Sequence, residues 1–238
     1  MSTYRYICVL LISLFALATH ANDDDVPTEQ APIFGGVAVY ADLVGPALKV
    51  FGNSHSNLEA GARLNFKEKY FPVAELGIGT CEREGADNAN VFKTTAPFFR
   101  AGLDYNFNKK ISGNRLFVGF RYALSNFKFD VTNAEFRDPV WNNQRPLQVM
   151  DQSSTCQWLE LVVGMETKLW SIVRLGYTIR MKFMMSMSGD EMGEPYYIPG
   201  FGRNGQPFGG TFYVAFDVGK SARSAKKAKQ KTNVNVQQ

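Results

Sequence analysis

Histidine is almost missing from this chain. Two occur in 238 residues, His20 and His55. His55 sits between Ser54 and Ser56, and one histidine beside serines is thin material for a general base. A solvated loop histidine is the expected role, and no enzymatic activity is expected. Cysteine is just as scarce: Cys8, Cys81 and Cys156. Together with His55 they lack the spacing of a structural zinc site, so no metal or other cofactor is expected. Cys81 and Cys156 would be an even pair in an exported chain. They are open to a disulfide or to two free thiols, near one rim but on strands that are not neighbours.

Long apolar runs are also missing. Ile7 to Ala18 is too short to cross a bilayer as a helix. Preceded by Arg5 and followed by Thr19-His20-Ala21, it reads as an export signal. Cleavage is expected after Ala21, with Ala18 the second choice. Cys8 has no lipoprotein-type context. Without a membrane helix, a membrane location requires a closed barrel, which alone satisfies every backbone group in lipid.

Acidic residues are missing from the tail. After Val218 come Lys220, Arg223, Lys226, Lys227, Lys229 and Lys231. The formal charge of +4 becomes −3 without these six and Arg5. The basic character belongs to the tail, and a nucleic-acid partner is not expected. The tail lacks apolar content and is predicted to be disordered. The predicted division is a signal peptide over 1–21, an extension over 22–32, a barrel over 33–219 and a basic tail over 220–238.

What the chain has in quantity is alternation. From Ile172 to Met187 the odd positions read Val173, Leu175, Tyr177, Ile179, Met181, Phe183, Met185 and Met187. The even ones include Arg174, Gly176, Thr178, Arg180 and Lys182. This is a strand with one oily and one cationic face. Seven more candidates cover about 34–44, 57–66, 70–80, 96–107, 115–127, 156–169 and 210–219, with no helical pattern between them. Links after the second, fourth and sixth are short; the others are long, the longest roughly 128–155 and 188–209. Strict alternation of short and long links is the habit of outer-membrane barrels, whose turns are periplasmic and loops extracellular. The predicted fold is an all-β, eight-stranded antiparallel up-and-down transmembrane barrel.

Parity places an acidic set inside: Asp42, Glu59, Glu75, Asp104, Glu160, Glu166 and Asp217. The basic set is Arg63, Arg100, Arg121, Arg174, Arg180 and Lys182. Seven against six is near balance, as a closed, salt-bridged interior requires; an open pore more often carries one sign at its constriction. Recurrent inward glycines, Gly61, Gly77, Gly79, Gly102, Gly119, Gly164 and Gly176, leave room for larger neighbours in a narrow barrel. Tyr70, Phe71, Tyr105, Phe107 and Trp170 are expected as one interfacial girdle, with Phe127, Phe129, Phe183 and Trp141 at or beyond the other end. The segment Tyr196-Tyr197-Ile198-Pro199-Gly200-Phe201 suits either an exposed binding surface or a loop folded onto its own rim.

The segment beginning at Gly36 (GVAVYADLVGPALKVFG), then Leu58 to Phe66, then Tyr70 to Gly77, resembles an uncharacterised Bacteroidetes family of outer-membrane barrels. The broader architecture is similar to the small OmpA/OmpX type. The resemblance implies a Gram-negative outer-membrane location and no assigned activity. One departure is that about twenty residues follow the last strand. The expected role is structural or interactive. Expected partners are outer-membrane lipid, a surface partner through loops 128–155 and 188–209, and periplasmic or cell-wall contact through the tail. The alternatives are a narrow ion or small-solute channel, and a soluble periplasmic lipocalin-like barrel with the oily face inside.

Overall fold

The computed structural model of the chain describes residues 26–27, 32–84, 90–108, 110–111, 114–133, 147–170, 172–188 and 195–218. The expected signal peptide and basic tail lie outside these residues. Eight long strands follow one another: β1 (Phe34–Asp42), β2 (His55–Phe66), β3 (Tyr70–Glu84), β4 (Asn90–Asn106), β5 (Asn114–Asn133), β6 (Leu147–Lys168), β7 (Val173–Ser188) and β8 (Phe208–Val218). Each pairs antiparallel with its sequence neighbours, and β8 pairs with β1, so the sheet closes on itself. Closure removes the edges that an open sheet would present.

Period-two alternation explains why these segments are strands. In β5, residues Arg115 to Phe129 alternate without a break between buried odd and exposed even positions. The oily face points out: Leu76, Phe99, Val118, Phe120, Leu161, Val163, Ile179 and Phe216 are all exposed. The ionic face points in.

Several boundaries differ from those expected. A seven-residue helix, α1 (Val44–Val50), stands where no helix was predicted. The Asp42 carboxylate accepts the amides of Val44 at 3.1 Å and Gly45 at 3.0 Å, which starts the turn. Seven residues are too few for a visible helical period. His55, expected in a loop, is the first residue of β2, in register with Cys81. Strands β3 to β6 extend well beyond the oily stretch, so part of each expected loop is polar strand. Only residues 85–89 separate β3 from β4, fewer than the 107–113 that separate β4 from β5, so the alternation of loop lengths is not strict.

The β7 pattern also breaks. Trp158 pairs with Met184 and Gln157 with Ser186, leaving Met185 as an extra residue. A bulge of one residue exchanges the faces of everything beyond it. Met187, read as part of the oily outer face, instead packs against the inner aromatic cluster.

Candidate functional site: the ionic interior and its plug

Three layers fill the barrel. The middle layer is ionic, and Glu75 on β3 is its hub. Glu75 accepts from Arg180 at 2.9 Å, Arg100 at 3.2 Å, Arg121 at 3.4 Å and the Tyr40 hydroxyl at 2.7 Å. Glu59 lies 2.6 Å from Arg100 and 2.9 Å from Arg180. Glu160 lies 3.0 Å from Arg100 and 3.2 Å from Arg180, and accepts the Trp158 indole N–H at 2.7 Å. Asp104 takes both Arg121 nitrogens, at 2.7 and 2.9 Å. Each buried charge here has opposite charge on more than one side or a bidentate partner. That arrangement offsets the desolvation an isolated ion would suffer.

The layer toward the short turns is built on Glu166. It pairs with Arg63, with Arg115 at 3.2 Å and with Arg174 at 3.6 Å, and accepts the Tyr213 hydroxyl at 3.1 Å. Asp217 holds Arg174 at 2.9 Å, and Glu68, in the β2–β3 turn, holds Arg115 at 2.7 Å. Burial favours the neutral acid at Glu68, but Arg115 and the Asn65 amide outweigh it and hold the carboxyl below its usual range. The crevice at this end, lined by Ala38, Arg63, Phe71, Arg115 and Asp217 among others, has no room for a water molecule.

The layer toward the long loops is aromatic. Phe98, Phe127, Trp158, Cys81 and Cys156 line it from the strands. The β7–β8 connection supplies the rest. Its small hairpin pairs Tyr197 with Arg203 and Ile198 with Gly202. Tyr197, Ile198, Pro199, Gly200 and Phe201 are buried. Of the two roles open to this segment, it therefore takes the one that folds into its own barrel, and these residues are not part of an exposed loop surface. Phe201 packs edge-on against Trp158 with centroids 5.7 Å apart. Gly200 has φ +83°, and a Cβ there would meet the Phe98 ring at 2.4 Å. Only glycine combines that backbone with that closeness.

Each of the thirteen charged residues read as inward is buried. Eleven join the two ionic layers. Asp42 instead caps α1, and Lys182 instead donates to the plug, to the carbonyls of Gly200 at 3.3 Å and of Phe201. Arg115 and Glu68 belong to the network and were missed. Arg115 shares the odd parity of Arg121 along β5, so extending the alternation by one step reaches it; Glu68 sits in a turn, where parity says nothing. Phe71, Phe127 and Phe129, read as membrane girdle, point inward by parity and are buried. Tyr70, Phe107, Trp170 and Phe183 are exposed and Tyr105 is half-buried. Trp141 lies outside the described residues. Cys81 and Cys156 are free thiols, both buried in the wall of the aromatic layer. Among the described residues no cluster of His, Cys, Asp and Glu is arranged to hold a metal ion, and no helix is long and apolar enough to cross a membrane.

The class defined by these features is a closed eight-stranded antiparallel sheet with an apolar outside and a filled, ionic inside. Over residues 1–218 the chain matches the family described as Domain of unknown function (DUF6048), and it belongs to that family. No curated protein and no solved structure matches it. The matched span ends at Val218, the last residue of β8.

Proposed function

We propose that the chain is a small outer-membrane barrel of OmpA/OmpX type with a structural or interaction role, and that its interior is sealed. The outward face carries this reading. On β5 the oily positions Leu116, Val118, Phe120, Tyr122 and Leu124 rise about 26 Å along the strand. The usual strand tilt reduces this to about 20 Å, close to the ~25 Å band of such barrels. Beyond it the outward positions turn polar: Asn126, Lys128 and Asp130 on β5, and Thr80, Glu82 and Glu84 on β3. Exposed Trp170, Phe107 and Tyr70 border the band at the short-turn end. Burying such a band in lipid satisfies it, whereas water would not. On this reading a leader over 1–21 exports the chain to a Gram-negative outer membrane. Both termini then lie in the periplasm, where the basic tail 220–238 meets cell-wall polymer or a periplasmic partner. The long-loop end faces outside, with residues 128–155 as the surface for a partner.

Fractionation of native membranes, with gels run with and without boiling, tests this. Outer-membrane recovery and a faster unboiled band are expected. A soluble periplasmic protein without a heat-dependent shift overturns the reading. The filled interior supports a sealed barrel over a narrow channel, since Arg180, Arg100, Glu59 and Glu75 meet across the lumen. The direction of the two faces supports it over a lipocalin-like barrel, whose oily face would line a cavity.

A further inference from the structure

The helix α1 leaves an apolar stripe uncovered. Leu43, Ala47, Val50 and Phe51 recur at the spacing of one helical face, and all four are exposed. Val50 is 84% and Phe51 81% exposed, more than any other large apolar side chain among the described residues; in the oily band Leu76 reaches 64%. The opposite side of the helix is the packed one. Gly45 lies about half a turn round from the stripe, and a Cβ there would stand 1.4 Å from the Asn57 carbonyl oxygen on β2. Lys49, the only charged residue from Leu43 to Ser54, is also on the side away from the stripe.

The helix stands at the border of the oily band. On β2 the outward positions are even, and Leu58, Ala60, Ala62 and Leu64 are exposed. Leu58 is the last apolar one. Ser56 follows on the same side and is buried at the end of β2 on which α1 packs. On β3 the outward face turns polar at the same height, from Ile78 opposite Leu58 to Thr80 opposite Ser56. The stripe also keeps the direction of the wall, since Leu43 follows Val39 and Ala41 on the outward side of β1. An apolar helix face that points away from the wall where hydrocarbon gives way to head groups, with a cation on its far side, has the form of an interfacial helix. We infer that α1 lies in the outer-leaflet boundary, with Leu43, Ala47, Val50 and Phe51 among the upper acyl chains and Lys49 among phosphate head groups. The inference rests on the reading of the oily band as lipid-facing. It makes the anchoring one-sided. Strands β1 and β2 end near this level, whereas β4 to β6 run on as polar strands, so the leaflet grips the low side of the rim and leaves the tall side in water.

Depth-dependent quenching tests this. Val50→Cys, Leu161→Cys and Glu82→Cys are made singly in a Cys81→Ala/Cys156→Ala background and labelled with bimane. Each full chain is refolded into phosphatidylcholine–phosphatidylglycerol vesicles and checked for its unboiled band. If that background does not fold, the native thiols stay, since both are buried, and labelling follows folding. Lipid brominated near the head group should quench the Val50 label at least about twofold more than lipid brominated at the chain ends. The Leu161 label, at mid-band, should show the reverse. The Glu82 label should answer only to iodide in the water. A Leu161 label quenched by lipid beside a Val50 label that only iodide reaches overturns the inference and leaves the barrel reading standing. A Leu161 label that no brominated lipid reaches removes the barrel reading, and the inference with it. A Val50 label shielded from both lipid and iodide marks the stripe as a protein contact, with a second copy if crosslinking joins two chains, and also overturns the inference.

Discussion

Arg180 on β7 reaches Glu59 on β2 at 2.9 Å, across 121 residues of sequence and between strands that do not pair. The contact passes through the lumen, where backbone hydrogen bonds cannot reach. Arg180 also holds Glu75 and Glu160, so one guanidinium ties β2, β3 and β6 to β7. Arg180→Met should leave these carboxylates short of charge and cost about 3–5 kcal/mol. The urea midpoint of the refolded barrel, read from the unboiled band, checks this. A change below about 1 kcal/mol would mean that Arg100 alone carries the layer.

Arg121 and Asp104 form a two-toothed pair, and a lysine cannot reproduce it. Arg121→Lys should destabilise by about 1–3 kcal/mol. With Asp104→Asn already in place, the same substitution should cost much less. A double-mutant cycle on the unfolding midpoint measures that difference; additive losses would exclude a direct coupling.

Gly176 lies under the ring of Tyr213, where a Cβ would stand 2.1 Å from the ring. Gly176→Ala must therefore displace a buried tyrosine whose hydroxyl serves Glu166. The expected cost is about 1–3 kcal/mol. Gly52→Ala is a control for crowding, since nothing lies near its Cβ, although its own positive φ adds some strain.

A closed interior predicts no steady conductance in a planar bilayer. It also predicts that Glu160→Gln lowers stability without opening a path. A stable conductance in the parent that changes with Arg121→Gln or Glu160→Gln would favour the channel reading instead.

Acid should act through the Glu68–Arg115 pair at the short-turn end. The folded carboxyl of Glu68 is held below its usual range. Its contribution is therefore present above its unfolded value of about 4.3 and is lost as the pH falls through the lower folded value. Glu68→Gln should flatten the fall in stability below pH ~4.3 without steepening it at neutral pH. Unfolding midpoints across that range give the comparison.

Local repetition made much of this molecule legible before its structure. In a half-buried strand each side chain's face follows from its parity, so Arg63, Glu75, Arg121 and Glu166 could be placed inside from their neighbours alone. The order of the strands followed too, since antiparallel neighbours in sequence need only short connections. Parity fails wherever the chain departs from the regular pleat. The extra residue near Met185 moved Met187 to the inner face, and the Asp42 cap folded seven residues into a helix too short to show a period. It also says nothing about which charges meet. Arg180 finds Glu59 only because closing the ring brings β7 opposite β2 at one height. Phe201 finds Trp158 only because the last connection turns inward over a wall notched by Gly79. The faces of the strands came from the sequence by itself, because alternation is a property of the extended backbone. The pairing of charges across the lumen and the filling of the mouth were decided by closure, because those contacts lie along directions that the backbone does not encode.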